Sequence, residues 1–407
     1  MESRDLRVES RGSAVLDGTP AFPEGLPLAV PSVPPGKALL GNIEGILESG
    51  VLTNGPYVRE LESRAADYLG VRHCVAVASC TSGLMLVLRT SDLSGDVVVP
   101  SFTFAATAHA VVWNGLRPVF SDIDSGSLTL SAGSVLRTAG VRTSAILATH
   151  TYGTPCDIEG LADAARREGV KLFFDAAHAF GSRHNGRQVG GFGEAEVFSL
   201  SPTKVLVACE GGIIATNDDL LAERCRMGRD YGNPGDYDCQ FVGLNARMSE
   251  VQAAVALRSF DDLDERITQR NEIADHYRRL LGDILGISFP MVRDEDRSTY
   301  KDFTIIVDPV EFGIDAAELG IALGVEGIET RRYYAPAVHE MRAYRLLSGR
   351  AGLPVTESVS RKVLSIPLWP SMTESQVKLV AETIERIQQS SARRIIKLPG
   401  DAPAHQR

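Results

Sequence analysis

No stretch of the 407-residue sequence approaches the ~18–20 consecutive apolar residues that a membrane-spanning helix needs. Residues 1–13, MESRDLRVESRGS, lack the apolar core of a secretory signal. Cysteine is sparse, and Cys74, Cys80, Cys156, Cys209, Cys225 and Cys239 form no C-x-x-C pair or metal-like spacing. Scattered cysteines of this kind argue against a disulfide scaffold or a metal centre and fit a reducing cytoplasm. The formal net charge is −10 and no basic tract stands out, so nonspecific nucleic-acid binding is not expected. A local cationic pocket for a diphosphate remains compatible with that balance. No internal repeat or low-complexity segment is visible. What remains is an ordinary globular composition, 44% hydrophobic, in a chain long enough for one large domain and one smaller one.

Residues 1–30 mix charge with Gly, Ser and Pro and are expected to form a flexible arm. A helix is expected from near Gly36, and Val58, Leu61, Ala65 and Leu69 fall at helical spacing in a second. Short apolar runs around Cys74, Val97, Val119, Ile146, Leu172, Val197 and Ile213 predict seven strands, alternating with helical segments. That alternation predicts an α/β domain over residues 31–260, with a mostly parallel sheet. The strand at Ile213, reached through a short turn, is the expected antiparallel one. Residues 250–281 read as one long helix linking the domains. The pattern then changes: YKDFTIIVDP reads as a strand with an exposed face, Ala316–Leu323 as a helix and Ile328–Tyr333 as a strand. A further strand at Val363–Pro367 and a helix at Thr373–Gln389 complete a small α/β domain, residues 261–395. Residues 396–407 read as a loose tail.

The chain is organised around residues 171–216. Leu172-Phe173-Phe174 is a buried strand with Asp175 at its carboxyl end, where open α/β sheets bind ligands. The next apolar run delivers Ser199 and, in a short polar loop, Lys204. A carboxylate at one strand end and a lysine after another are what pyridoxal phosphate (PLP) chemistry requires. The lysine forms a Schiff base, and the carboxylate keeps the pyridine nitrogen protonated. Taken alone, a lysine is a solvated residue and a strand-end Asp a helix cap. Cys80-Thr81-Ser82-Gly83 opens a helix after the first strand. Hydroxyls and free N–H groups at such a terminus suit a phosphate monoester.

DAAHAFGS, then FSLSPTK, then EGG, together with GLNARMSE, resemble the signatures of the DegT-type aminotransferases. These are fold-type-I PLP enzymes of the aspartate aminotransferase superfamily that act mostly on nucleotide-linked keto sugars. The likeness covers roughly Leu52 to Arg345. It implies a seven-stranded large domain and a small carboxyl-terminal domain. It also implies that Lys204 and Asp175 are catalytic and that Thr81, Ser82, Phe104, His178 and Ser199 contact the cofactor. Phe104 matches the position that stacks on PLP. Asn245 matches an asparagine that reaches the neighbouring subunit's cofactor, which implies a homodimer with shared active sites.

The resemblance further implies L-glutamate as amino donor and a nucleotide-linked keto sugar as acceptor. ETRRYY, within Gly327–His339, resembles the small-domain strand of relatives that aminate C4, whereas C3 enzymes more often read His-Tyr-Pro at its end. This makes Arg331, Arg332 and Tyr333 candidate substrate contacts and a dTDP-4-keto-6-deoxyhexose the expected acceptor. Cys80–Gly83 departs from the GTAA or GTSA of many members, which alters packing more than the Thr and Ser contacts. Relatives with His in place of Lys204 catalyse dehydration, so the retained lysine argues for transamination. The competing readings are a C3 sugar aminotransferase, a keto-cyclitol aminotransferase and a non-catalytic PLP-binding regulatory protein.

Overall fold

The computed structural model describes residues 18–347 and 352–392. All seven expected strands of the large domain form: β1 His73–Val77, β2 Asp96–Pro100, β3 Arg117–Ser121, β4 Thr143–Thr149, β5 Lys171–Asp175, β6 Ala195–Ser199 and β7 Gly212–Thr216. They make one sheet in the order β1-β7-β6-β5-β4-β2-β3. The pairs β2–β3, β2–β4, β4–β5 and β5–β6 are parallel, while β7 runs antiparallel to both neighbours. Every residue of β2, β6 and β7 is buried. Helices cover both faces of such strands, which is why they read as apolar runs without alternation.

Polar caps start the helices where the sequence changes period. Ser79, Asp157, Asp218 and Ser249 each accept a backbone N–H of the first turn. In the helix Pro56–Leu69 the buried residues are Val58, Leu61, Ala65 and Leu69, the expected stripe. Its amino end is held by a side chain distant in sequence. The buried Glu250 carboxylate accepts the amides of Gly55 at 2.8 Å, Tyr57 at 2.8 Å and Val58 at 3.0 Å.

The expected single helix over 250–281 is instead two, Glu250–Phe260 and Leu263–Leu281. Arg266 donates to the Ser259 carbonyl, the acceptor that Leu263 N–H would use in an unbroken helix. The second helix serves both cores. Leu263 and Ile267 pack with the large domain, and Ile273, Ala274, Tyr277 and Leu281 pack with the small one.

The small domain holds β8 Ile287–Ser288, β9 Phe303–Val307 and β10 Val363–Ile366, with β9 in the middle. β9 is therefore buried almost throughout rather than exposed on one face. Ile328–Tyr333 is not a strand. It pairs only at Ile328 with Leu26 and at Arg331 with Ser365. Its end turns inward, burying Tyr334 against Phe102 and Tyr152. The helices Ala316–Val325 and Glu374–Ala392 complete the layer.

The described part of the expected arm, residues 18–30, packs on this domain. Phe22 N–H bonds to Glu326 O at 2.9 Å, Leu26 N–H to Gly327 O at 2.7 Å, and Leu26 joins the small-domain core. The first 17 residues and the expected tail at 396–407 lie outside the described residues. Among the described residues no helix is long and apolar enough to cross a membrane.

Candidate active site

The carboxyl ends of β1, β2, β5 and β6 open on one cavity of about 360 Å³. From β1 come Ser79 and Thr81, from β2 Phe104, from β5 Asp175 and His178, and from β6 Ser199 and Lys204. The small domain closes the far side with Lys301, Asp302, Tyr333 and Tyr334. Gly212 lets β7 pass beneath the Ser79–Thr81 turn, because a Cβ there would lie 2.6 Å from the Cys80 nitrogen. The glycine of the EGG run is thus set by close backbone approach.

Asp175 is buried at the end of β5. Thr107 Oγ1 donates to its Oδ2 at 2.6 Å and the Ala177 amide to its Oδ1 at 3.1 Å, so both oxygens are oriented. Burial raises its pKa, against the lowering effects of the Thr107 bond and the Lys204 charge. Lys204 follows a turn closed by Lys204 N–H to Ser201 O at 3.0 Å. Burial, reinforced by the Lys301 charge, lowers the Lys204 pKa to about 8. Burial beside Lys204 and Lys301 pushes His178 well below the ordinary histidine range, so its imidazole is neutral. Its Nδ1 is buried without a partner, while its carbonyl accepts from Thr299 Oγ1 at 2.6 Å.

Thr81, Phe104, Asp175, His178, Ser199, Lys204 and Tyr333 therefore meet in one place. Phe104 is 63% exposed, its ring standing in the mouth of the cavity. Four other predicted site residues do not line it. The Ser82 hydroxyl turns back into the helix cap, donating to Ser79 O at 2.8 Å. Arg331 pairs with Glu329 at 2.7 Å in solvent. Arg332 donates to Ser360 O at 3.0 Å and Arg361 O at 3.2 Å. The alternation of a strand would send one of these two arginines toward the site, but this segment is not a strand. Asn245 is exposed away from the cavity of its own chain, in a bridge with Asp230.

The model of the DegT/DnrJ/EryC1/StrS aminotransferase family matches residues 36–385. The chain belongs to this family. It is similar to the solved structure of DesI in the presence of its TDP-sugar product. The TM-score is 0.88 and the identity 36%, covering 94% of this chain and 98% of that one. It is 30% identical to the dTDP-4-amino-4,6-dideoxy-D-glucose transaminase of Shigella dysenteriae, over 88% of this chain and 97% of that protein. It is 33% identical to the dTDP-3-amino-3,6-dideoxy-alpha-D-galactopyranose transaminase of Aneurinibacillus thermoaerophilus, over 84% and 93%.

As a DegT-family member the protein is a PLP-dependent aminotransferase of fold type I. The residues present fit that cofactor. The half-buried Lys204 and the buried Asp175 face one cavity, the orphaned Nδ1 of His178 lacks a partner there, and the first turn of the helix Cys80–Thr90 meets it beside Ser199. The first-turn amides of an α-helix have no intrahelical acceptor and favour an anion.

Sequence reading missed Thr107, Lys301, Asp302 and Tyr334. A buried strand-end carboxylate needs donors, and the hydroxyl-rich run from Ser101 to Thr107 was a signal for one. For the small domain the signal was the Lys301-Asp302 pair directly ahead of the apolar run of β9.

Proposed function

We propose that this aminotransferase moves an amino group from L-glutamate to a dTDP-linked 4-keto-6-deoxyhexose at C4. A half-buried, partly deprotonated Lys204 sharing one cavity with the fixed carboxylate of Asp175 carries the reading that the site turns over. That pairing weighs against a PLP-binding protein without catalysis. The sugar rests on relatives named for nucleotide-sugar amination. C4 rests on the ETRRYY resemblance and on the C4 product named for the Shigella dysenteriae relative.

PLP, when bound, supplies an electron sink that stabilises negative charge at the substrate carbon losing its proton. Asp175, its oxygens set by Thr107 and Ala177, holds a proton on the ring nitrogen by a charge-assisted hydrogen bond. Thr81, Ser199 and the amides of Cys80 and Thr81, which Ser79 leaves uncapped, would hold the phosphate. Phe104 would supply an aromatic surface for the cofactor ring, and the neutral His178 would offer it a hydrogen-bond partner.

The lowered pKa of Lys204 leaves a useful fraction of free amine near neutral pH, so Nζ can take the Cα proton of the donor. The same Nζ would then give that proton to the carbon on the far side of the transferred nitrogen, and in the second half-reaction it would work in reverse. Tyr333 and Tyr334 flank Lys301 and Asp302 on the small-domain side of the cavity and exclude water there. Two chains form the working enzyme, Asn245 of each reaching the other's phosphate site.

The test is product analysis. Purified enzyme with glutamate and dTDP-4-keto-6-deoxyglucose is expected to give a product whose NMR spectrum shows nitrogen on C4. Nitrogen on C3, obtained only with a 3-keto sugar, would overturn the C4 assignment. Turnover restricted to keto-cyclitols would overturn the sugar nucleotide.

A further inference from the structure

The active cavity must accept two chemically unlike partners in turn: an amino acid that brings carboxylate charge, and a sugar ring that brings hydroxyls. Resting on the donor chemistry proposed above, the question is which group meets the carboxylate. Among the described residues lining the cavity, Lys301 is the one cation besides the reacting Lys204, since His178 is neutral. The carboxylates lining it are those of Asp175, Glu210 and Asp302.

Lys301 is buried, and its Nζ bonds to Asp302 Oδ1 at 2.6 Å. Its ammonium also sits 5.7 Å from the centre of the Tyr333 ring. A lysine ammonium carries three N–H donors, and the Asp302 bond uses one. A buried ammonium with donors to spare beside a cavity is an anion subsite, because leaving such groups unmatched is costly. Asp302 keeps the pair neutral when no carboxylate is bound, and its Oδ2 is buried without a partner.

We propose that Lys301 anchors a carboxylate of the amino donor, with Asp302 as the built-in counterion. In the donor half-reaction the ammonium bridges Asp302 and the incoming carboxylate. In the acceptor half-reaction the pair closes to the neutral contact seen in the structure, which tolerates an uncharged sugar ring. One site thereby serves both substrates without leaving a fixed uncompensated charge against the sugar. A single buried pair achieves this because a charge-assisted bond in a low dielectric is strong when formed and nearly neutral in net charge when closed. The pair sits on the small domain, at the start of β9, whereas the reacting amine and its acid sit on the large domain. Donor recognition and chemistry are thus assigned to different domains.

The test separates the half-reactions on PLP-loaded enzyme. The apparent Kd for L-glutamate is read from the cofactor absorbance change, and the acceptor half-reaction is read separately from the aminated cofactor form. Lys301→Met is expected to weaken glutamate binding roughly 10- to 100-fold, the loss of one charge-assisted contact. The acceptor half-reaction should shift less than about threefold, and Lys301→Arg should restore most of the donor affinity. Should the methionine variant not fold, Lys301→Gln, which keeps a polar partner for Asp302, is read in the same way.

Glutamate and glutamine are compared in both backgrounds. A preference for glutamate that vanishes in the variant assigns the side-chain carboxylate, and an equal loss for both donors assigns the α-carboxylate. Either supports the anchor. An unchanged donor Kd, equal effects on both half-reactions, or a variant that instead loses PLP would overturn it. If the unaltered enzyme uses another amino acid in place of glutamate, the glutamate reading fails on its own. The Lys301 comparison is then run with that donor, which also carries a carboxylate.

Discussion

Replacing Lys204 by methionine is expected to stabilise the cofactor-free protein while abolishing amino transfer. Burial and the neighbouring Lys301 lower the lysine pKa from 10.5 to about 8. The unfolded chain keeps the ordinary value, so the fall is about 2.5, which corresponds to about 3 kcal/mol of lost stability. The sign follows from proton counting. Below pH 8 both states bind the proton, and the folded state bears the whole penalty. Between pH 8 and 10.5 the unfolded chain binds a proton that the folded one lacks, so stability of the unaltered protein rises with pH across that window.

Methionine has similar length and no charge, so the variant carries no such penalty. Urea unfolding of PLP-stripped protein, at matched concentration, should therefore show the variant more stable by about 3 kcal/mol at pH 7. That gap should shrink steadily between pH 8 and 10.5. Matched concentration removes any contribution of self-association to the apparent stability. A gap that stays constant with pH, or a variant less stable at pH 7, would refute the reasoning. The lysine would then be either solvated or fully paired. A functional group that destabilises its own fold is an ordinary feature of active sites.

Two further perturbations test the scaffold and the assembly. Glu250→Ala leaves the amides of Gly55, Tyr57 and Val58 without their acceptor and should lower stability by about 3–5 kcal/mol in denaturant titration. Glu250→Gln, which keeps the shape and one acceptor oxygen, should lose clearly less, and an unchanged stability in Glu250→Ala would show that the three bonds contribute nothing. For shared sites, mixing inactive Lys204→Ala with inactive Asn245→Ala should restore part of the activity through hybrid dimers. Absence of recovery despite demonstrated subunit exchange would place Asn245 outside the partner's site.

The sheet was legible in the sequence because its strands are buried on both faces, and a doubly buried strand must be apolar throughout. The helix caps were legible because Ser and Asp satisfy first-turn amides locally, within three residues of themselves. The sequence alone pairs Lys204 with Asp175, because each follows a strand of one parallel sheet and parallel strands end on the same side.

Where contacts depend on distant parts of the chain, the sequence alone does not decide. Thr107 reaches Asp175 and Glu250 reaches Gly55 across 68 and 195 residues. ETRRYY has the composition of a strand, yet only Leu26 and Ser365 are in place to pair with it, so its arginines turn to Glu329 and to the Ser360 and Arg361 carbonyls. The helix break at 261–262 depends on Arg266 taking the Ser259 carbonyl. Lys301 and Asp302 enter the cavity only because the small domain folds back over the sheet ends. Periodicity records which residues must leave water, whereas partner choice among polar groups is settled by which elements arrive within about 3 Å of one another, and only the folded chain determines that.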